Sequence, residues 1–247
     1  MTEMSYKQDF LFQMVTTFVY MVVQVLSIKY LFLAGGITQI YGYSMAQVYF
    51  VFALIQLFMM LHFIFTYPSL ETARWQIFRG QIDFYLVKPI NTIYQISMQR
   101  IKISAGLAIF GYLFFLFYLS RETLVVIDVF KFAQLVFLVF FAFGLFYFMI
   151  WISTTAWFFW SKFESLRWLI HNSQDITRYP KKIYPQFLQS LLIYVLPMFL
   201  MINPAYDILQ NEFGWSDFGR MIMMLIMFGL IYLIMWKEGL RRYNSAA

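Results

Sequence analysis

The chain has 247 residues, of which 62% are hydrophobic and 12% charged, with 31 Phe and 18 Tyr. A soluble domain carries roughly twice that charged share, so the composition excludes a water-exposed globule and points to a protein that gives apolar surface to lipid. The formal charge of +6 is carried in short loops between apolar runs, so topology accounts for it before nucleic acid does, and the lack of cysteine excludes disulfides, thiolate metal sites and cysteine nucleophiles.

The segment from Met1 to Asp9 is short and carries both signs of charge. No small-residue cleavage site follows the first apolar run, so that run reads as a retained span rather than a signal peptide. A helix needs about 20 mostly apolar residues to cross a bilayer, and six stretches meet or approach this. The first, Phe10 to Ile28, is free of charge and stops at Lys29; Gln13, Thr16, Thr17, Tyr20, Gln24 and Ser27 recur along it at helical spacing. The second runs from Met45 to Tyr67, contains His62 and ends at Pro68.

A polar connector, residues 68–88, follows. Ser69 is placed to cap a short helix, Glu71 to favour its positive end and Gly80 to close it. Leu70, Ala73 and Ile77 fall on one face, Trp75 and Phe78 flank it, and Arg74 and Arg79 point elsewhere. Such a helix can lie on the membrane surface or plug into a cytoplasmic partner.

The third span is Ile103 to Leu119 and the fourth, the longest, Phe132 to Trp160. The fifth, Ile183 to Ile202, contains Pro185 and Pro197 and carries a second polar stripe: Gln186, Gln189, Ser190 and Tyr194, with Pro197 continuing the line. The sixth, Met221 to Trp236, is short and anchored by Arg220 and Lys237. Lipid does not satisfy the two stripes. They serve either hydrogen bonds within the bundle or a subunit interface or substrate path. The expected fold is all-α, one polytopic membrane domain of six helices.

With the N-terminus cytoplasmic, 14 basic residues fall on the inner side and 4 on the outer, the bias of positive-inside topology. Both termini are therefore expected in the cytoplasm. No P-loop, H-E-x-x-H or G-x-S-x-G motif occurs, and no metal-ligand constellation. His62 is expected as a hydrogen-bonded packing residue and His171 as a solvated one. No carboxylate lies deep in an expected span, which counts against a proton-coupled carrier and against a membrane-embedded enzyme.

Residues Phe78 to Pro89 resemble the pattern R-x-G-x-[IL]-D-x-[YF]-L-[LV]-[KR]-P of the ABC-2 type permeases, in particular a six-span bacterial subfamily that works with a separate ATPase. Gly35 to Thr38, Tyr43 to Gln47, Tyr194 to Pro197 with Asn203 to Ala205, and Trp236 to Ala246 are similar to other parts of that subfamily in the same order. The glycines often found after the small tail residues are absent. The resemblance implies a type V ABC exporter-like permease in the bacterial cytoplasmic membrane, without its own ATPase site. Its partners are an ABC ATPase that binds ATP and magnesium and a second permease, identical or paralogous. It further implies that the connector is the coupling helix, with Glu71, Arg74, Trp75, Phe78 and Arg79 toward the ATPase and Asp83, with Lys88, fixing the return to the third span. The stripes Gln13 to Ser27 and Gln189, Ser190, Tyr194, Pro197 then line a dimer interface or substrate path.

The cargo expected from the family is a hydrophobic or amphipathic molecule moved outward, and the 16 Met suit adaptable apolar contacts. A drug, an antimicrobial peptide and a lipid all fit, and resistance to a drug or peptide would follow from such export. The competing readings are a secondary transporter or channel, a lipid-modifying enzyme and a structural membrane subunit.

Overall fold

Ser44 opens the most buried of the long apolar helices. Its hydroxyl accepts from the Gln47 amide and the Gln47 side chain accepts from the Ser44 amide, so two free N–H groups at the helix start are satisfied together. The computed structural model describes residues 7–102, 106–122, 127–160, 163–174, 176 and 179–243; for 7–10, 13, 14, 17, 106–108 and 119–122 it describes the backbone alone. Lys162, Arg178, the start of the expected third span at Ile103 and the tail from Asn244 to Ala246 lie outside the described residues, as do the side chains of Gln13 and Thr17.

In chain order the elements are α1 (Lys7–Ala34), β1 (Gln39–Ile40), β2 (Tyr43–Ser44), α2 (Met45–Phe65), α3 (Tyr67–Phe78), α4 (Asp83–Leu86), α5 (Thr92–Ser97) and α6 (Gly106–Glu122). There follow α7 (Val129–Thr155), α8 (Glu164–Ser173), α9 (Gln186–Tyr194), α10 (Met198–Leu209) and α11 (Trp215–Arg242). The fold is 80% helical. One antiparallel hairpin interrupts it, turning on Tyr41 and Gly42 at φ 51° and 86°, the double left-handed turn that matches strand twist.

Among the described residues three helices are long and apolar enough to cross a membrane: α2, α7 continued by a 3-10 turn to Phe158, and α11. The last expected span is thus the middle of a 28-residue helix. Within α1 and α6 the described apolar stretches, Phe18–Ala34 and Ile109–Tyr118, are shorter. α2 sits at the centre, with Val51, Phe52 and Ala53 fully enclosed, packed by α6, α7, α10 and α1.

The fifth expected span is not one rod. α9 and α10 meet at 107° around Pro197, which has no N–H to continue the helical ladder. The pair also begins and ends at the same end of the bundle. Lys181 Nζ lies 3.5 Å from Asp207 Oδ2, its amide donates to Asn203 Oδ1, and Gln210 reaches the Gly42 carbonyl. The chain passes from the α3 end to the hairpin end between Glu164 and Lys181. Lys182 Nζ accordingly sits 5.8 Å over the ring of Tyr43, at the start of α2 and away from α3. Placing Lys181 and Lys182 there takes two of the 14 basic residues expected on the inner side to the other end, which weakens that bias. Tyr43 stacks on Tyr206 at 4.6 Å, and burial, with Asp207 and Glu212 nearby, pushes its hydroxyl up to about 12. Asp207, one turn beyond the expected end of the fifth span, is a half-buried carboxylate that the sequence reading passed over.

α7 and α11 join through rings set into glycine notches. Phe148 packs on Gly229, and Phe158, between Trp236 and Tyr243, packs on Gly239. Small residues allow the close approach on which helix association in lipid depends. A Cβ at Gly239 would stand 2.4 Å from Phe158 Cδ2 and 2.8 Å from its Cγ. Gly239→Ala is expected to destabilise the chain by roughly 1–3 kcal/mol, read as a lower melting temperature in detergent; an unchanged melt would show that the ring moves aside freely.

Candidate functional site

The α3 end of the bundle gathers the residues expected to meet a partner. Gly80, at φ 64°, closes α3: its amide bonds to the Ile77 carbonyl and the Gln81 amide to the Gln76 carbonyl, the paired closure that glycine permits. Ser69 does not cap the helix. It is fully buried, two residues inside the start at Tyr67, and its hydroxyl donates to the Arg100 carbonyl and accepts from the Arg100 amide. Gln99 donates to the Ser69 carbonyl, and Gln76 and Gln99 both bond to the Tyr85 hydroxyl. The connector is therefore tied to itself along its length. Leu70, Ala73 and Ile77 face inward, as their spacing required.

Arg74 departs from expectation. Its guanidinium is 3% exposed as a residue, bonded to Glu71 and at 3.1 Å to Glu164 of α8, and stacked 4.8 Å over the ring of Trp157. Arg167, one turn along α8 from Glu164, closes the ring by pairing with Glu71 at 3.2 Å and Glu164 at 3.4 Å, and it donates to the Tyr67 hydroxyl. Two arginines and two carboxylates thus form a neutral ring that fastens α3 to α8. The Arg74 side chain is buried in this ring, while that of Glu71 keeps 30% of its surface exposed. Glu164 and Arg167 were missed, and the signal available was their i, i+3 spacing of opposite charges on an amphipathic helix.

The outward surface is Trp75, Phe78 and Arg79. Trp75 is 37% and Phe78 41% exposed; both lean edge-on against Trp157, and Arg79 lies 5.9 Å over Trp75. Asp83 opens α4 half-buried, beside Ile82, whose amide donates to the Tyr243 hydroxyl from the chain's tail. Lys88 Nζ rests 5.5 Å over the ring of Tyr85. Phe84, Val87 and Ile90 extend the exposed apolar surface along the connector.

The two polar stripes are not packed into one face: α1 rests on α2 and α6, while α9 rests on α10. On α1, Thr16 and Ser27 bond to their own helix, to the carbonyls of Phe12 and Gln24. On α9, Ser190 donates to the Gln186 carbonyl and Gln189 to that of Tyr184, Tyr194 is exposed, and Pro197 makes the bend. Most of α1 is exposed, with Ile28 and Phe32 as its buried anchors.

Thr16 and Tyr20 instead line a cavity of about 370 Å³ between α1, α2 and the end of α8. Ile55, Met59, Met60 and Phe63 form its apolar wall; Gln56, His171, Asn172 and Gln174 complete its polar one. A second hollow, about 470 Å³ and almost wholly apolar, lies between α2, α6 and α7 toward the hairpin end, bordered by Leu54, Leu113 and Val139.

His62 lies in the core behind the first cavity, with its ring 4.4 Å from Phe146. Among the described residues neither ring nitrogen has the expected hydrogen-bond partner. His171 lies 6.2 Å from Tyr67, as does His62, so the two histidines flank one ring despite their separation in sequence. An unsatisfied buried polar group costs about 1–3 kcal/mol, and an apolar ring of like shape removes that cost. His62→Phe is expected to leave the melting temperature in detergent unchanged or raise it; a marked fall would mean that the imidazole has a partner in the membrane.

Among the described residues no cluster of three or more His, Asp and Glu could hold a metal ion. A family model described as "ABC-2 family transporter protein" matches residues 18–247. No curated protein and no solved structure matches the chain.

Proposed function

The chain belongs to the ABC-2 transporter family, and on that premise we propose that it is the six-crossing permease of an exporter driven by an ATPase on a separate chain. The family accounts for a membrane-spanning permease of an ABC transporter. The finer reading rests on one observation. α3 is closed at its C-terminal end by Gly80 and fastened from within, and it holds Trp75, Phe78 and Arg79 outward at the end of the bundle where the chain's tail docks. Immobilised aromatic and arginine side chains are what a protein partner uses as anchors. The partner ATPase binds ATP and magnesium, takes α3 into a surface cleft and moves it when it closes.

In this reading the α3 end is cytoplasmic in a bacterial membrane, with both termini there. The exposed face of α1 is covered by lipid and by a second permease, identical or paralogous. The cargo is hydrophobic or amphipathic and moves outward. Affinity purification of the chain in mild detergent from its native host tests the proposal. Co-elution of a P-loop ATPase is the expected result; recovery of the permease with no ATPase would overturn the exporter reading and favour a channel or structural subunit.

A further inference from the structure

The cavity between α1, α2 and α8 has features that the packing of the bundle does not require. Gln56 is 5% exposed in the middle of α2, and among the described residues its amide has no hydrogen-bond partner. The amide borders the cavity, and that space is large enough to hold a molecule that would pair with it. Two further groups on the polar wall keep unused acceptors. The Asn172 side-chain nitrogen donates to the Trp168 carbonyl, which leaves its oxygen, and the Thr16 hydroxyl donates to the Phe12 carbonyl, which leaves its lone pairs. Tyr20, His171 and Gln174 have partners of their own and contribute shape. Ile55, Met59, Met60 and Phe63 supply an apolar wall, and the two thioethers adapt to varied outlines.

We propose that this cavity is the loading site for the transported molecule and takes an uncharged amphipath with hydroxyl or amide groups at one end. The proposal rests on the permease reading. The sign of the site decides the class. Among the described residues no Asp, Glu, Lys or Arg lines the cavity, and beside such a lining a full charge on the ligand would be desolvated without compensation. A neutral head that both donates and accepts meets Gln56, Asn172 and Thr16, and its apolar body lies along Met59, Met60 and Phe63. The cavity is built on the half of α2 nearer α3, and its polar wall is the continuation of the helix that the arginine–carboxylate ring fastens to α3. Movement of α3 is thereby passed to the wall that holds the ligand's head.

The test uses the full chain in phosphatidylcholine nanodiscs without ATPase, so its failure leaves the co-elution result untouched. Phe63→Trp places a fluorophore in the cavity, and Met60→Trp provides a second should the first distort it. Phe114→Trp, 72% exposed on α6, is the lipid-facing control. The probe is a monoacylglycerol with a brominated chain, and wild-type fluorescence is subtracted. Saturable quenching at the cavity reporters, linear quenching at Phe114→Trp and a roughly tenfold higher half-saturation in Gln56→Leu are expected. Linear quenching at all three positions would overturn the proposal, as would a brominated fatty-acid anion binding as tightly as the neutral probe.

Discussion

Arg74→Ala is expected to destabilise the chain by roughly 2–4 kcal/mol, one of the larger single-residue losses available outside the apolar core. The substitution leaves Glu71 and Glu164 facing each other with Arg167 alone to balance them, and it removes the guanidinium from the face of Trp157. Glu164 is half exposed, so water screens part of the unpaired charge. Arg74→Lys is expected to fail as well, since one ammonium cannot hold two carboxylates in the guanidinium's fork geometry while stacking on a ring. Arg74→Met keeps the stem's packing, and combining it with Glu164→Gln restores neutrality. That pair should recover a good part of the loss. The measurement is thermal unfolding of the purified chain in detergent, followed by near-ultraviolet circular dichroism. A melt of Arg74→Ala equal to that of the wild type would show that the ring is not structural.

Trp75→Ala combined with Phe78→Ala is expected to abolish recovery of the ATPase while leaving a folded permease. Both side chains project from a helix held on its opposite face by Leu70, Ala73 and Ile77. Aromatic anchors at the centre of an interface each contribute about 2 kcal/mol or more, so the pair corresponds to at least a hundredfold weaker binding. Arg74 has to stay intact in this test, because its loss would dissociate the complex by disturbing the permease itself. Arg79→Ala adds a graded control, since it removes one cation over Trp75. A double variant that still brings down the ATPase in full would place the docking surface elsewhere on the connector, with Phe84, Val87 and Ile90 as the next candidates.

Much of this arrangement is legible in the order of the residues. The apolar runs mark the bundle, Pro68 marks the break between α2 and α3, and the spacing of Leu70, Ala73 and Ile77 gives the inner face of α3. Gly80 marks its end because only a residue free to take positive φ closes a helix in that way. The direction of Arg74 is not legible, because its partner Glu164 lies 90 residues further on and local spacing says nothing about it. The same holds for Ser69, whose local sequence suits a cap until Arg100 is brought beside it. Pro197 was visible as a proline, but the sharpness of its bend depends on Lys181 finding Asp207 and Asn203 at the far end of the pair. The cavity was half visible: Thr16 and Tyr20 stood out as polar residues on an apolar helix, whereas their companions on α8 belonged to what read as a loop.

The ring of Glu71, Arg74, Glu164 and Arg167 also limits how the sequence can change over time. Its four members carry two charges of each sign and occupy two segments far apart in the chain. Reversal of any one sign leaves a surplus that only a matching change in the other segment, or within the same turn, removes. Substitutions at these positions in related chains should therefore travel in compensating pairs, or the whole ring should give way at once to apolar residues. The outward residues Trp75 and Phe78 carry no such bond to α8, so their drift should follow the surface of the partner and not the interior of this chain.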